Sequence, residues 1–545
     1  MKFNRAQWRL IHFCHNPQCY SNTADSLREL RGSLPIFVVD HEIYRYRPSV
    51  LVGTVDKLAV LGFQKHFAHL ISAVTQRCAT HGYTSFGQCV ESGGPCKGSP
   101  KDLERLQPDK DPIPAFLIQD ELHLLKEELG TFNAHYEGFL QHVANKQRQK
   151  PSKILAATAT IEAYEAQTYH LYLKDTNRFP QPSWRDGESF YATSTPVLYR
   201  RLYGGVLTHQ RSPESTTLRI LEVYNREIQL MRDFPAAALV ELDLDNVTED
   251  EFLDFLRLYD FSLTYVNRKA TGGNIAYSLN QTVSPQLPHG LVVDMLTGDN
   301  TMTEVGQVIE RVERERLDVE APRLDVLIAT SLISHGVDLE RINFLCMVGM
   351  PSKYAEYIQA SSRAARNHVG LVMVCFKRPD LRERSQYHYF LPNHRYLERL
   401  VEPVPINRFS SFAVKRTIPG LIVGMLLTYY SRVLYNTKRI TKPLDNMNQL
   451  QKMIKSGDIS MEQLSDDLQS IIGVHHPKLN ALQRRYLIDS VTQALQLNWD
   501  QIQRSFESQL GDAVHAMSSF RDVDETLDFV ADGAASVFVD RIRNS

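Results

Sequence analysis

The stretch AFLIQDELH, residues 115–123, decides the fold, because a short apolar run passes directly into two carboxylates and a histidine. Such a run is typical of a strand buried on both faces of a parallel sheet, and ligands bind beyond the carboxyl ends of these strands. Asp120 is well placed there to hold a magnesium ion that bridges nucleotide phosphates, and Glu121 to deprotonate an attacking water. The alternative is an exposed acidic helix start, since carboxylates suit a helix N-terminus.

Similar apolar runs occur in two regions of the chain and predict two separate parallel sheets. Helical patterns lie between the runs, as in Val305, Val308, Ile309 and Val312, which share one helix face. Strands that alternate with amphipathic helices are typical of parallel sheets joined by right-handed crossovers. The runs are 35–40, 49–54, 115–120 and 153–160 in the first region, and 261–267, 290–296, 324–331, 343–350 and 370–376 in the second.

Small polar residues follow two of the other strands. Thr158 and Thr160 end one run, where hydroxyl groups can connect the acidic loop to nucleic acid, although a Ser/Thr turn that caps a helix is the alternative. In the second sheet, Thr330 ends a run and is followed by Gly336 and Asp338. Gly336 permits a tight turn and Asp338 can orient a cation or a ribose, whereas an ordinary strand-to-turn transition is the competing interpretation.

Gln359, Arg363 and Arg366 form a QxxxRxxR pattern within a helix predicted over residues 354–366. Spacings of four and three residues place the three side chains on one helical face. Two planar guanidiniums suit a triphosphate, because its transition state spreads charge over the γ-phosphoryl oxygens. The alternative is a pair of solvated surface arginines.

The motifs, taken in this order, resemble those of superfamily 2 helicases over residues 35–390. One departure is Ser362, where the family usually has glycine before the first arginine. The similar segments are 120–123 for motif II, 158–160 for motif III, 265–267 for motif IV, 329–338 for motif V and 359–366 for motif VI.

The resemblance implies an α/β fold with two RecA-like parallel-sheet lobes and ATP bound between them. Asp120 and Glu121 of the first lobe would then act on the nucleotide together with Arg363 and Arg366 of the second. The remaining roles that the resemblance implies are hydrogen bonding around the nucleotide by His123 and Gln359, cofactor binding by Gly336 and Asp338, and coupling to nucleic acid by Thr54, Thr158, Thr160 and Thr330.

A closer resemblance, to the DrmA family of helicase-like core proteins in the DISARM bacterial anti-phage system, is carried by residues 44–59, 116–130, 179–192 and 518–525. It implies ATP-dependent action on DNA together with other defence-system subunits. The predicted domains are an incomplete first lobe at 1–164 with a Cys-rich insertion at 78–112, a bridging segment at 165–240, a second lobe of helicase C-terminal type at 241–390 and a helical C-terminal domain at 391–545.

The phosphate-binding loop of such motors, GxxxxGK[ST], is missing from the sequence. Residues 53–58 stand in the place of helicase motif Ib, which lies downstream of that loop, so the loop is expected to precede residue 1. Three interpretations stay open: a split motor whose P-loop comes from another polypeptide, a truncated product, or a chain that has lost hydrolysis. A helicase-like scaffold that binds DNA or a partner subunit without hydrolysing ATP is therefore the alternative to a motor.

Composition predicts a globular protein of the cytoplasm. The 61 basic and 63 acidic side chains nearly cancel, so any phosphate-binding surface must be a local patch. The N-terminal residues lack the apolar core of a secretion signal, and the longest apolar run, 418–427, is about half the length that spans a bilayer. It predicts a buried helix and no membrane partner. Seven cysteines, an odd number, favour a reducing compartment over a disulfide framework.

Four of the cysteines suggest a zinc site. Cys14 and Cys19 form one pair and Cys89 and Cys96 a second, and four thiolates could attach the insertion at 78–112 to the N-terminal segment. These spacings are looser than the usual CxxC knuckle, and Cys78 and His81 compete as ligands. Thiols that hold no metal are the alternative. Cys346 and Cys375 fall inside apolar strands and are expected in the core.

Overall fold

A computed structural model defines the architecture of most of the chain. The residues that it describes are 1–23, 32–62, 64–71, 74–85, 89, 103–106, 113–148, 150–158, 164–181, 188–191, 193, 200–314, 324–330, 341–507 and 510–520.

Strands and helices alternate through the middle of the chain, and helices alone follow. The strands in the described residues are β1 (Lys2–Asn4), β2 (Arg9–Phe13), β3 (Ser33–Leu34), β4 (Gln76–Cys78), β5 (Gly82–Thr84), β6 (Leu103–Arg105), β7 (Phe116–Gln119), β8 (Lys153–Ala156), β9 (Arg201–Leu207), β10 (Ser262–Val266), β11 (Val293–Leu296), β12 (Val326–Ala329), β13 (Phe344–Val348) and β14 (Gly370–Phe376). The α-helices are α1 (Asp40–Tyr46), α2 (Ala68–Ile71), α3 (Glu127–Arg148), α4 (Tyr164–Tyr172), α5 (Pro213–Asp233), α6 (Pro235–Glu241), α7 (Glu249–Leu256), α8 (Lys269–Ser278), α9 (Met302–Arg314), α10 (Tyr354–Ser361), α11 (Leu381–His388), α12 (Phe390–Arg395), α13 (Ser411–Met425), α14 (Ser431–Asn436), α15 (Met447–Lys455), α16 (Met461–Ile472), α17 (Ala481–Arg504) and α18 (Leu510–Ala513).

The chain forms two compact units. Unit 1 contains Met1–Thr158, Ala163–Asn177 and Val404–Ser545, and unit 2 contains Arg178–Pro403. This division differs from the domains predicted from the sequence in two places. The bridging segment expected at 165–240 is shared between the units, and the C-terminal helices belong to unit 1, with no separate domain of their own.

Unit 2 is built on a parallel sheet, which confirms the predicted α/β class. Within the described residues the sheet has six strands in the order β11-β12-β10-β13-β14-β9, all paired in parallel. Alternate residues of the central strands face two different apolar clusters, so the sheet is covered on both faces. Cys346 and Cys375 are fully buried there, as predicted, and Val305 and Val312 of α9 are buried against the same sheet.

The edge strand β9 is an element that the sequence patterns miss. It pairs with β14 along its whole length, from Arg201 opposite Gly370 to Leu207 opposite Phe376. Gly204 and Gly205 interrupt its apolar pattern, yet the packing requires them. A Cβ on Gly204 would lie 2.5 Å from the Met373 sulfur, so a side chain there would clash with the neighbouring strand.

Unit 1 contains a parallel pair, β7 and β8, in the register Phe116–Lys153 to Gln119–Ala156. Its exposed face is apolar, since Phe116 and Ile118 are 61% and 75% exposed. Two further strands predicted in this unit, at 35–40 and 49–54, are wrong: the first run leads into α1 and the second is irregular. An apolar run becomes a strand only where a neighbouring strand takes up its backbone hydrogen bonds, and 50–52 are exposed.

The C-terminal helices complete the core of unit 1. Apolar side chains of α13, α16 and α17 form one cluster with Phe132, Tyr136 and Phe139 of α3. The helix predicted around 418–427 is the centre of this cluster. The continuous helical stretch Ser411–Asn436 is long and apolar enough to cross a bilayer, the single such helix among the described residues, and 83% of its most apolar window is buried inside the protein. Its apolar character therefore reflects its position in the core.

A buried guanidinium joins three helices of this core. Arg408 is fully buried, and its side chain donates to the carbonyl oxygens of Ala134 on α3, Leu171 on α4, and Ile471 and Ile472 on α16. Two of these helices end at the carbonyls in question, which lack partners within their own helix. Burial lowers the pKa of Arg408 to about 9, because a low-dielectric site disfavours the charged form. The carbonyl dipoles offset that cost.

Replacing Arg408 with leucine tests this contact. Leu fills much of the volume but leaves several buried carbonyl oxygens unpaired, and each such group costs about 1–3 kcal/mol. We expect the free energy of unfolding of unit 1 to fall by about 3 kcal/mol or more, measured by urea denaturation. The matched control is Arg485→Leu on the exposed surface of α17, which should change it by less than about 0.5 kcal/mol. Equal effects of the two substitutions would contradict the role of Arg408.

Candidate nucleotide site

The acidic loop follows β7 directly, at the carboxyl end of the parallel pair. The ladder continues past the strands, since the backbone N–H of Ala157 donates to Gln119 O and that of Leu122 donates to Ala157 O. Asp120 and Glu121 are both exposed. Glu121 adopts the left-handed conformation, with φ of 50°, which directs the chain away from the strand and into a short 3-10 turn at Leu122–Leu124. Positive φ is uncommon for residues other than glycine and occurs often at functional sites.

His123 connects the acidic loop to the hydroxyl loop that follows β8. Its imidazole is buried, and Nδ1 lies 3.1 Å from Thr158 Oγ1 and 3.3 Å from a carboxylate oxygen of Glu121. Thr158 thus lies next to a residue of the acidic motif, and its coupling role stays a prediction.

A residue that the sequence patterns do not single out supports the loop from behind. Gln167 on α4 is buried, and its side-chain amide donates to Leu122 O at 2.8 Å and to Leu125 O at 3.0 Å. Both acceptors belong to the turn that carries the acidic residues. Hydrogen bonds to backbone carbonyls leave no residue-type pattern in the sequence, which explains why Gln167 could not be found there.

The arginine motif lies in unit 2, beyond the end of β13. Gln359 is buried on α10, whereas Arg363 and Arg366 follow the helix and are half-buried. The helix predicted over 354–366 is therefore wrong in its second half, because α10 ends at Ser361. The chain turns at Ala365, which has φ of 60° and donates its N–H to Ile342 O. The two arginines thus lie on a loop that leads into β14, and the shared helical face does not extend to them.

The arginine loop is held by the edge strand β9. Arg201 Nε donates to Ala364 O at 2.9 Å, and Arg200 donates to Arg366 O at 3.1 Å. The hydroxyl of Tyr203 donates to Ser361 Oγ at the end of α10. Strand β9 therefore positions this loop in addition to closing the sheet. The only sequence signal for it is a pair of adjacent arginines at the start of a short apolar stretch.

The remaining predicted residues divide into described and undescribed positions. Thr330 directly follows β12, and its N–H donates to Leu296 O, so it lies at the same edge of the unit 2 sheet as the loop after β13. Thr54 is exposed in an irregular stretch, where its carbonyl oxygen accepts from Lys57 N. Thr160, Gly336 and Asp338 lie outside the described residues, and their roles stay predictions.

Three potential metal ligands come together in unit 1. The ligand atoms of Cys78, His81 and Cys89 all lie within 4.8 Å of one another, and the three residues are buried. This group shares only Cys89 with the predicted set. Cys14 and Cys19 lie outside the group, and Cys96 lies outside the described residues.

Removing the side-chain amide of Gln167 tests the support of the acidic loop. Gln167→Met keeps the length of the side chain but removes the amide that donates to Leu125 O and to Leu122 O, which then keeps only the backbone N–H of Leu125 as a donor. We expect faster amide hydrogen exchange across residues 116–126, corresponding to about 1–3 kcal/mol of lost local stability, measured by mass spectrometry. The control is Gln469→Met, because Gln469 bonds Ser465 within its own helix. Unchanged exchange in Gln167→Met would show that the loop is held by other contacts.

Part of the second unit is similar to a known protein family. Residues 262–368, from the start of β10 to just before β14, match the family model described as the helicase conserved C-terminal domain. The chain is 28% identical over 483 residues to the DISARM protein DrmA of Bacillus paralicheniformis. That match covers 84% of this chain and 40% of the relative, so the chain spans about two-fifths of the length of the curated relative it matches.

Similar solved structures are those of helicases. One is the DUF1998 helicase MrfA bound to DNA, with 13% identity and a TM-score of 0.39, covering 57% of this chain and 35% of that one. Another is Mycobacterium smegmatis Lhr bound to ssDNA and AMP-PNP, with 11% identity and a TM-score of 0.38, covering 69% and 38%. The family match and the DrmA match confirm the predicted resemblance of the chain to superfamily 2 helicases and to DrmA.

Proposed function

We propose that this chain is the motor portion of an ATP-dependent DNA helicase or translocase that acts in bacterial anti-phage defence in the cytoplasm. Asp120 holds magnesium, Glu121 acts as the catalytic base, and Arg363 and Arg366 stabilise the charge on the transferred phosphoryl group. A P-loop from outside residues 1–545 completes the site. The observation that carries the proposal is the contact of His123 with both Glu121 and Thr158.

The His123 contact supports a motor because it joins the two functions that a motor must couple. Glu121 is the residue proposed to act on the water that attacks the nucleotide. Thr158 belongs to the loop proposed to respond to DNA. A buried imidazole whose Nδ1 lies close to both residues gives each loop a physical means of sensing the other, and a simple DNA-binding surface would have no need of this link.

In unit 2, hydrogen bonds fix the backbone of the loop that carries Arg363 and Arg366, which supports the proposal. Backbone carbonyls on either side of Arg363 accept hydrogen bonds from Arg201, and the carbonyl of Arg366 accepts one from Arg200. Fixing the backbone reduces the entropy lost when a guanidinium closes on a phosphoryl group. Gln359, buried one turn earlier on α10, is the residue proposed to bond near the nucleotide.

The exposed apolar face of β7 and β8 supports the need for an additional segment. Parallel sheets are normally covered on both faces, yet Phe116, Ile118 and Leu155 are largely exposed. The face lies directly next to Asp120 and Glu121, at the edge of the sheet where a P-loop would bind phosphates. We propose that the segment that carries the P-loop extends the pair with strands of its own at the edge of the sheet. The same segment would cover the exposed apolar face.

The proposal predicts how ATP hydrolysis responds to substitution. The chain is co-expressed with a segment that carries a P-loop, and phosphate release is measured with and without DNA. We expect DNA-stimulated hydrolysis that falls about 100-fold or more in Glu121→Gln, since a positioned base contributes that much. Removing an arginine finger, in Arg363→Ala or Arg366→Ala, should reduce kcat by about 1,000-fold.

Matched controls are Glu462→Gln in the first turn of α16 and Arg257→Ala at the end of α7, both exposed and outside the motifs. Neither should change the rate. DNA binding by the reconstituted protein without any DNA-stimulated hydrolysis would support a scaffold and contradict the motor. If Glu121→Gln hydrolyses ATP at the wild-type rate, then Glu121 is not the catalytic base.

A further inference from the structure

The β4–β5 hairpin brings three ligands of the kind that zinc prefers into one buried place. Cys78 ends β4, His81 stands in the turn, and Gly82 begins β5, with Cys78 paired opposite Gly82 in the ladder. Cys89 approaches from the chain beyond β5. The Cys78–His81 spacing, C-x-x-H, is the short spacing with which a turn presents two ligands to one metal ion. We propose that Cys78, His81 and Cys89 bind a structural zinc ion.

The distance between two of the ligands fits a zinc ion without rearrangement. Cys78 Sγ and His81 Nδ1 are 3.7 Å apart. Zinc–sulfur and zinc–nitrogen bonds of about 2.3 Å and 2.0 Å at a tetrahedral angle would place these atoms about 3.5 Å apart. All three ligand atoms fall within 4.8 Å of one another. Three protein ligands would hold the ion, and a fourth side chain would close the tetrahedron, as structural zinc sites require.

The orientation of His81 is the one that metal-binding histidines require. Its Nε2 lies 3.0 Å from the carbonyl oxygen of Ala6, which can only accept, so Nε2 carries the proton. The lone pair is then on Nδ1, the nitrogen that points at Cys78. Histidines that bind zinc through one ring nitrogen usually donate the other N–H to a carbonyl or carboxylate. The tautomer that the Ala6 contact selects is therefore the one that can bind zinc.

The turn is shaped closely around this arrangement. Gly82 has φ of 88°, and a Cβ there would lie 2.5 Å from the carbonyl oxygen of Arg45. Only glycine permits the turn to remain this close to α1. The hairpin continues into a three-stranded antiparallel sheet, in the order β5-β4-β6. An ion at Cys78 would therefore fix the small sheet, and through Ala6 it would also fix the turn between β1 and β2.

The other cysteine pair has a different environment and provides an internal comparison. The Ser21 hydroxyl donates to Cys19 Sγ at 3.2 Å. Hydrogen bonds from Ser21 and from Cys14 lower the pKa of the Cys19 thiol. Cys14 and Cys19 are thus close to each other, but neither belongs to the group around His81. A zinc site built on Cys14 and Cys19, the arrangement suggested by sequence spacing, would respond to a different set of substitutions.

The test measures zinc in the full chain purified in the presence of a thiol reductant. We expect about one zinc per chain by elemental analysis, and loss of most of that zinc in Cys78→Ser, His81→Ala and Cys89→Ser. Cys14→Ser and Cys19→Ser should retain it. Absence of zinc from the wild-type chain overturns the proposal, as does zinc that is lost with Cys14 or Cys19 and kept with His81→Ala.

A cobalt substitution separates loss of metal from loss of fold. Cobalt replaces zinc in the wild-type chain, and its visible spectrum reports both tetrahedral geometry and thiolate ligation. We expect a tetrahedral spectrum with a sulfur-to-cobalt charge-transfer band that weakens in Cys89→Ser, while the helical circular dichroism is unchanged. An octahedral spectrum in the wild-type chain, or a Cys78–Cys89 disulfide found by mass spectrometry under reducing purification, overturns the proposal. Neither measurement depends on ATP hydrolysis.

Discussion

The buried guanidinium of Arg408 is the constraint on which the first unit depends. It enters from the start of the C-terminal helical region and bonds carbonyls of α3, α4 and α16 at once. The backbone of Arg408 is held as well, because its carbonyl accepts from His135 on α3. A charged group without solvent is tolerated only where every donor has an acceptor. The helices that meet at Arg408 cannot move independently of it.

Helix α4 connects Arg408 to the candidate site. The last carbonyls of α4 accept from Arg408, and Gln167 on the same helix donates to the turn that carries the acidic residues. The C-terminal helices therefore help to position Asp120 and Glu121, although they lie far from them in sequence. This explains why the C-terminal region forms part of unit 1, where the sequence patterns predicted an independent helical domain.

The sequence alone predicted those parts of the fold in which the type of each residue determines whether it is buried in a strand or lies in a loop. Continuous apolar runs predicted every strand of the unit 2 sheet except β9, and the acidic motif predicted the loop after β7. The sequence did not predict elements whose formation depends on contacts with residues distant in sequence. The run at 35–40 is apolar but forms no strand, β9 forms one despite two glycines, and α10 ends before its arginines because Ala365 bonds Ile342. The spacing of the cysteines likewise did not predict that Cys89 lies close to His81, with Cys14 outside that group.

Both units present polar side chains at the carboxyl ends of parallel strands, and the proposed function requires that these side chains serve one nucleotide. The most direct test is the distance between the units, measured by double electron–electron resonance with spin labels at exposed positions, Leu482 in unit 1 and Leu381 in unit 2. With the P-loop-bearing segment present, magnesium and a non-hydrolysable ATP analogue should shorten and narrow the distance distribution, and Arg363→Ala with Arg366→Ala should prevent this. A distribution that is the same with and without nucleotide would contradict the account.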